Sequence, residues 1–249
     1  MSGLVVHDAG EVRTITFDRP EKKNALTVVM RDEFCQLLES ADVDPNVKAV
    51  IVTGTDPAFT SGVDFKDVDP SFNPRQRRFA VNPGRALRAM RTPVLSAVNG
   101  PCVSGGLEIA LSCSFIVASE RATFADTHAR LNVVPAWGLT VLLPQAVGLR
   151  KARELSMTGS FVDAATALRL GLVNHVVGHD ELLGFTTDLA ERIAGTSAVA
   201  DILAMYDEGQ DLGLSAGLDL EMRNFVARTW DSKDFQTAGE STVRRNRTT

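Results

Sequence analysis

The stretch from Ala97 to Cys113, AVNGPCVSGGLEIALSC, constrains the fold of this chain more than any other. The apolar run from Val94 to Val98 predicts a buried strand, and Ser104-Gly105-Gly106 then opens a predicted helix. The first N–H groups of a helix have no partner within it and lie at the positive end of its dipole. They therefore suit an anion or a developing oxyanion, and Gly105 is well placed to donate. Glu108 follows in the first turn, either as a carboxylate stabilised by the dipole or as a catalytic acid or base.

The residues before this stretch predict strands and one helix. Val12 to Phe17 alternates apolar and polar residues, and Val47 to Thr53 is a nearly continuous β-branched run. Between them, Thr27 is a plausible N-cap for a helix that Asp44-Pro45 stops. Strand and helix signals keep alternating as far as Val177, which predicts an α/β fold with covered sheets.

The C-terminal part reads differently, because its signals are helical. A helix is predicted from Ser215 to Trp230. We therefore divide the chain into an α/β core, residues 1–195, and a helical region, residues 196–249.

Composition narrows the class of function. The net charge of −5 over 249 residues argues against a nucleic-acid-binding protein, which needs clustered Lys and Arg to neutralise phosphates. The three cysteines, Cys35, Cys102 and Cys113, form no C-x-x-C pair, so neither a disulfide framework nor a metal site is predicted. No run of about 18 apolar residues occurs, and the opening residues lack a signal-peptide pattern. We expect no membrane span and a cytoplasmic protein.

Four segments in order resemble the crotonase (enoyl-CoA hydratase/isomerase) superfamily. The segment Arg19–Leu26 (RPEKKNAL) is similar to R-P-x-x-x-N-A-L, and Ala58–Lys66 (AFTSGVDFK) resembles F-x-x-G-x-D-x-K. The segment Ala97–Cys113 resembles A-V-x-G-x-x-x-G-G-G-x-E-L-x-x-x-C-D, and Thr158–Val173 resembles a T-G-x-x-x-x-A-x-x-A-x-x-x-G-L-V block. One such motif is a weak signal, whereas four in register are a strong one.

The resemblance implies a fold of repeated ββα units with a helical C-terminal region that builds homotrimers, often paired into hexamers. It implies an acyl-CoA thioester as substrate and no cofactor, since coenzyme A is part of the substrate. The backbone N–H groups of Val63 and Gly105 would form an oxyanion hole for the thioester carbonyl. Glu108 aligns with the first catalytic glutamate of the hydratases. The residues expected to bind the substrate and its CoA are Lys23, Ala25, Ser61, Asp64, Phe65 and Lys66.

The second catalytic glutamate of the hydratases is replaced here by His128. An imidazole can accept or donate a proton near neutral pH, so Glu108 and His128 could still perform acid–base chemistry. Alternatively, His128 is a structural residue or one that shapes the substrate pocket. Asp126, two positions earlier, is expected to share one side of an extended segment with His128, where it would orient the imidazole or act as the second carboxylate.

The acyl pocket is expected to differ from that of typical hydratases. The family's P-G-A-G-G-T turn reads PAWGLT here, and Trp137 within it lines the acyl pocket or belongs to the core. The segment Val68 to Pro83 is the other expected contributor to the pocket. The leading function is hydration of a 2-enoyl-CoA. The alternatives are an enoyl-CoA isomerase, a hydrolase of thioesters or β-diketone-type substrates, and a non-catalytic acyl-CoA-binding protein.

Overall fold

A computed structural model describes residues 3–67, 81–228, 235, 236 and 239 of the chain. These form two compact units, Met1–Val199 and Ala200–Thr249. The separate roles assigned above to residues 1–195 and 196–249 stay predictions.

The larger unit is built on a six-stranded sheet. Its strands, in the order in which they pair, are β1 (Leu4–Ala9), β2 (Val12–Phe17), β3 (Ala49–Gly54), β4 (Val94–Val98), β6 (Phe115–Ser119) and β9 (His175–Val177). The β1–β2 pair is antiparallel and the other pairs are parallel. Parallel neighbours need crossover connections, and helices provide them here.

A second sheet of three short strands lies next to the predicted active-site segments. It consists of β5 (Pro101–Val103), β7 (Thr123–Ala125) and β8 (Val162–Asp163). The β5–β7 pair is parallel, so that both strands end at the same edge of the sheet, where Ser104 and Asp126 follow them.

Nine helices are described within these residue ranges. They are α1 (Val28–Val43), α2 (Pro83–Arg88), α3 (Gly105–Ser112), α4 (Leu139–Val147), α5 (Leu149–Thr158), α6 (Ala164–Arg169), α7 (Leu182–Ala194), α8 (Val199–Gly209) and α9 (Leu214–Ala227). Helix α1 begins as the sequence predicts, because Thr27 Oγ1 accepts a hydrogen bond from the N–H of Met30 at 3.1 Å. Its buried stripe is Met30, Phe34, Leu38 and Ala41.

Both faces of the large sheet are covered, as the apolar runs predict. In β3, Val50 and Val52 belong to one core cluster with Met30 and Phe34 of α1. Ala49 and Ile51 point to the opposite face and pack in a second cluster that includes Leu182 and Ala190 of α7. Successive side chains of a strand alternate between faces, so a continuous apolar strand requires a helix on each side. The predicted α/β class is confirmed.

Candidate active site

The turn between β5 and α3 fixes the position of Gly105 and Gly106, the first two residues of α3. Ser104 has φ +49° and ψ −107°, a conformation that residues other than glycine rarely adopt. Its hydroxyl lies 2.7 Å from Thr127 Oγ1 and accepts a hydrogen bond from the N–H of Thr127 at 3.0 Å. A Cβ on Gly106 would lie 2.5 Å from the carbonyl oxygen of Thr60, so only glycine fits there. The turn thus directs the start of α3 toward the loop that carries Val63.

The two backbone groups predicted to form an oxyanion hole are brought together. Gly62, with φ +89°, lies so close to α3 that a Cβ on it would be 3.2 Å from the backbone nitrogen of Gly105. Val63 follows Gly62 directly, and Leu26 holds this loop by donating to the carbonyl of Gly62 at 2.8 Å. Neither the Val63 nor the Gly105 N–H donates a hydrogen bond to any acceptor in the described part of the chain. Both donors are therefore available to a ligand oxygen.

Glu108 is buried in the first turn of α3, with 2% of its surface exposed. Its Oε1 accepts hydrogen bonds from the backbone N–H groups of Trp137 at 2.6 Å and Leu139 at 3.4 Å. Burial raises the pKa of Glu108 above its usual value, although the bond from Trp137 and the nearby His128 oppose the rise. The two backbone bonds fix Oε1 and leave Oε2 to face His128.

His128 lies between two carboxylates. Its Nε2 is 3.7 Å from Glu108 Oε2, and its Nδ1 is 2.6 Å from Asp126 Oδ1. Because a carboxylate only accepts, the short contact assigns the proton to Nδ1 and leaves Nε2 to face Glu108. Burial opposes ionisation of Asp126, but hydrogen bonds from His128 and Ser156 hold the pKa of Asp126 below its usual value.

The contact between Asp126 and His128 was predicted, but the predicted backbone is wrong. Strand β7 ends at Ala125, and His128 has helical angles, φ −55° and ψ −46°. The chain turns because Asp126 Oδ1 accepts a hydrogen bond from the His128 N–H at 3.1 Å. Aspartate stabilises such turns by bonding to the backbone two residues on, and here the same oxygen also orients the imidazole ring.

The spacing of Glu108 and His128 suits a shared water molecule. The 3.7 Å between Oε2 and Nε2 is too long for a hydrogen bond. A water oxygen at about 2.8 Å from both atoms closes the triangle, which is an ordinary hydrogen-bond distance. A pair of titratable groups around one water is the geometry of general acid–base chemistry.

Trp137 is buried in the core and its ring also lies next to Gly105, while its role in an acyl pocket stays a prediction. Its side chain belongs to the main core cluster. Its six-membered ring lies against Gly105, where an added Cβ would be 2.9 Å from a ring carbon. The backbone is fixed by Arg88, whose Nη1 donates to the carbonyl of Trp137 at 2.7 Å and to Ser112 Oγ at 2.9 Å.

The residues expected to bind CoA occupy one surface region around the Val63 loop. The N–H of Ser61 donates to the carbonyl of Lys23 at 3.0 Å, which joins the first two motifs. Phe65 and Lys66 are exposed on a short 3-10 helix. Ala25 is half-buried beside them.

Asp64, which is also expected to bind CoA, is already engaged. Its carboxylate accepts hydrogen bonds from Arg19 Nη1 at 3.1 Å and from the N–H of Lys66 at 3.1 Å. Although burial opposes it, these bonds lower the pKa of Asp64. Its contacts hold the loop in shape. Of the segment from Val68 to Pro83, residues 68–80 lie outside the described residues.

The sequence did not predict the contacts that two arginines, Arg31 and Arg88, make with Trp137. Arg88 holds the Trp137 turn, as described, and the guanidinium of Arg31 lies 5.8 Å from the centre of a Trp137 ring. Both contacts join residues far apart in the chain, so no local pattern signals them.

Neither a metal-binding cluster nor a membrane-spanning helix is present among the described residues. They contain no group of three or more His, Cys, Asp or Glu side chains that could hold a metal ion. No helix within the described ranges is long and apolar enough to cross a membrane.

Comparisons with known proteins agree with this geometry. The family model for enoyl-CoA hydratase/isomerase matches residues 8–245. A probable peroxisomal enoyl-CoA hydratase of Arabidopsis thaliana is 36% identical over 87% of this chain and 83% of its own length. A probable enoyl-CoA hydratase of Rhizobium meliloti is 36% identical over 94% of this chain and 93% of its own length.

Solved structures give the same result. An enoyl-CoA hydratase from Mycobacterium avium is 42% identical with a TM-score of 0.76, covering 96% of this chain and 99% of its own. One from Bacillus anthracis has a TM-score of 0.86 at 28% identity, covering 96% of each chain. The resemblance seen in the four motifs and the crotonase fold expected from it are both confirmed. The chain belongs to the enoyl-CoA hydratase/isomerase family, the crotonase superfamily.

Proposed function

We propose that this protein is an enoyl-CoA hydratase that adds water to a 2-enoyl-CoA with Glu108 and His128 as its acid–base pair. The observation that carries the proposal is the pair of a buried Glu108 and a half-buried His128, with Oε2 and Nε2 separated by 3.7 Å, beside two backbone N–H groups that have no acceptor in the described residues. The relatives named above from Arabidopsis thaliana and Rhizobium meliloti are described as probable enoyl-CoA hydratases, and the structure from Mycobacterium avium as an enoyl-CoA hydratase.

The first step uses Glu108 as the base. The thioester carbonyl accepts hydrogen bonds from the N–H groups of Val63 and Gly105, which polarise the conjugated double bond. Glu108 Oε2 takes a proton from the shared water while the water oxygen bonds to the β-carbon. The electrons of the double bond move toward the carbonyl oxygen, and the enolate charge develops between the two donors. Neutral donors stabilise this charge only as it appears, which lowers the barrier.

The second step uses His128 as the acid. The doubly protonated imidazole gives its Nε2 proton to the α-carbon as the enolate reforms the carbonyl. The product has gained one hydrogen and one hydroxyl, Glu108 now holds a proton and His128 is neutral. Transfer of that proton from Oε2 to Nε2, through the next water that enters, restores the starting state. The pair therefore holds one transferable proton at the start of the cycle, two after the first step, and one again after the second.

The remaining parts of the proposal concern binding and assembly. Lys23, Ala25, Ser61, Phe65 and Lys66 bind the CoA portion, with Asp64 supporting their loop. Trp137 lines the acyl end. No cofactor is required beyond the CoA of the substrate. The protein assembles as a homotrimer or as a hexamer of two trimers, and it acts in the cytoplasm.

The direct test mixes purified protein with crotonyl-CoA and follows the absorbance of the conjugated enoyl thioester together with free thiol. Hydration removes the absorbance, releases no thiol and yields the 3-hydroxyacyl-CoA, which mass spectrometry identifies by the gain of one water. Glu108→Gln is the matched variant, because an amide oxygen still accepts the backbone bond from Trp137 but cannot act as the base.

Three outcomes oppose the proposal. Thiol release at the rate of absorbance loss indicates a hydrolase. Turnover that persists in Glu108→Gln removes Glu108 from the mechanism. Binding of crotonyl-CoA with neither signal indicates a protein that holds acyl-CoA without reacting it.

A further inference from the structure

We propose that Arg31 and Trp137 form a subsite for a negatively charged acyl group, so that the preferred substrate is an acyl-CoA whose acyl chain carries a carboxylate. This inference rests on the proposed function in one respect, since it takes the acyl group to lie beside the Val63 and Gly105 donors.

Two sets of contacts place Arg31 near the Val63 and Gly105 donors. On one side, its guanidinium lies over a ring of Trp137, and that indole packs against Gly105. On the other side, Arg31 is in the first turns of α1, which starts two residues after Leu26, the partner of the Val63 loop. Arg31 therefore lies near the thioester end of the site.

The charge of Arg31 is poorly satisfied by the described residues. Its Nε donates to the carbonyl of Thr27 at 3.3 Å, but its two terminal nitrogens donate to no acceptor in residues 3–67 and 81–228. No carboxylate of those ranges forms an ion pair with it. The nearby Asp67 uses its Oδ2 to accept from the N–H of Val28. Burial lowers the pKa of Arg31, yet a guanidinium stays charged at neutral pH, so the folded protein keeps a partly desolvated cation there.

A carboxylate is the ligand that fits this group best. A guanidinium presents parallel N–H donors that match the two oxygens of a carboxylate, and the cation–π contact with the indole helps to hold the group in place. The phosphates of coenzyme A are a poorer fit, because the whole pantetheine arm separates them from the thioester that the oxyanion hole would hold. The acyl chain is the part of the substrate that reaches Trp137.

The test measures binding of two saturated acyl-CoAs of matched shape by isothermal titration calorimetry. Glutaryl-CoA ends in a carboxylate, and 5-methylhexanoyl-CoA has an isopropyl group in the same place. We expect the wild-type protein to bind glutaryl-CoA more tightly. In Arg31→Met, the ratio of the two dissociation constants shifts against glutaryl-CoA by about tenfold or more, as expected for loss of a hydrogen bond between charged groups.

Two further variants complete the design. Arg31→Lys keeps the charge but loses the planar fork, so its ratio falls between those of the wild type and Arg31→Met. Arg169→Met removes an exposed arginine at the end of α6 and leaves the ratio unchanged. Equal binding of the two ligands by the wild type, or an Arg31→Met ratio equal to the wild-type ratio, overturns the inference. Absence of hydration of both crotonyl-CoA and glutaconyl-CoA, the 2-enoyl counterpart of glutaryl-CoA, together with the shifted ratio overturns the proposed reaction and leaves the anionic subsite standing.

Discussion

Replacing Asp126 by asparagine isolates the effect of one negative charge on the proposed acid. The amide oxygen of asparagine can still accept from Nδ1 and from the N–H of His128, the two bonds that Asp126 Oδ1 accepts at 2.6 and 3.1 Å. Ring orientation and the turn after β7 are therefore retained. What disappears is the charge that stabilises the doubly protonated imidazole.

The size of the effect follows from the nature of that hydrogen bond. A bond to a charged group contributes about 1.5–3 kcal/mol, whereas a neutral one contributes about 0.5–1.5 kcal/mol. The difference of roughly 1–1.5 kcal/mol lowers the population of the protonated ring about tenfold, since about 1.4 kcal/mol corresponds to a factor of ten. We expect kcat/KM for crotonyl-CoA to fall by about that factor at pH 8.

The assay measures kcat/KM for crotonyl-CoA at pH 8 for both proteins. Asp163→Asn serves as the control, because it removes an exposed charge while keeping a side-chain oxygen at the N-cap of α6. A ratio of wild-type to Asp126→Asn kcat/KM near one would refute the reasoning.

Three other substitutions test the remaining parts of the site. Glu108→Gln lowers kcat/KM about 10²–10⁴-fold, as expected for loss of a general base. Because burial raises the pKa of Glu108, the stability that its neutral form contributes is present below the unfolded pKa of about 4.3 and is lost as the pH rises through the folded pKa. Glu108→Gln therefore has a higher melting temperature than the wild type at pH 7 but not at pH 4, as calorimetry at both pH values would show. Trp137→Ala lowers the free energy of unfolding, measured by urea titration, by about 3–5 kcal/mol. It also raises kcat/KM for 2-decenoyl-CoA relative to crotonyl-CoA. An unchanged ratio of these two values would show that Trp137 does not line the acyl pocket. Arg88→Met releases the carbonyl of Trp137 and so lowers kcat by more than it changes KM in steady-state kinetics, whereas Arg88→Lys restores part of the loss; equal changes in both constants would contradict the positioning role.

Local patterns predicted the elements whose cause is local. Thr27 caps α1, and Val94–Val98 is a strand with the predicted limits, because a cap and a β-branched apolar run act over a few residues. Strand β1 (Leu4–Ala9) was not predicted. Five of its six residues are exposed, so it lacks the alternation that marks a half-buried strand, and pairing with β2 determines it.

Site residues could be predicted only where they lie within a sequence motif. The Gly105 turn and Glu108 lie in one motif, and their roles could be hypothesised from it. Two other contacts depend on how α3, α4 and α1 pack together. They are the hydrogen bond from the Trp137 N–H to Glu108 and the position of Arg31 over the Trp137 ring. Tertiary packing, rather than any spacing in the sequence, determines those contacts.

The exchange of glutamate for histidine at position 128 is consistent with hydratase chemistry because of Asp126. Two carboxylates that share one proton carry a net charge of −1, whereas an ionised Glu108 and a protonated His128 together carry none. Asp126, bonded to Nδ1 at 2.6 Å, returns the cluster to −1 with one mobile proton between Glu108 and His128. A histidine without that carboxylate would have to hold its positive charge in a buried site with Glu108 3.7 Å away as its nearest counter-charge. In the proposed reaction, Asp126 and His128 therefore act as one unit in place of the missing glutamate, and the charge of Asp126 stabilises the protonated form of the imidazole that it orients.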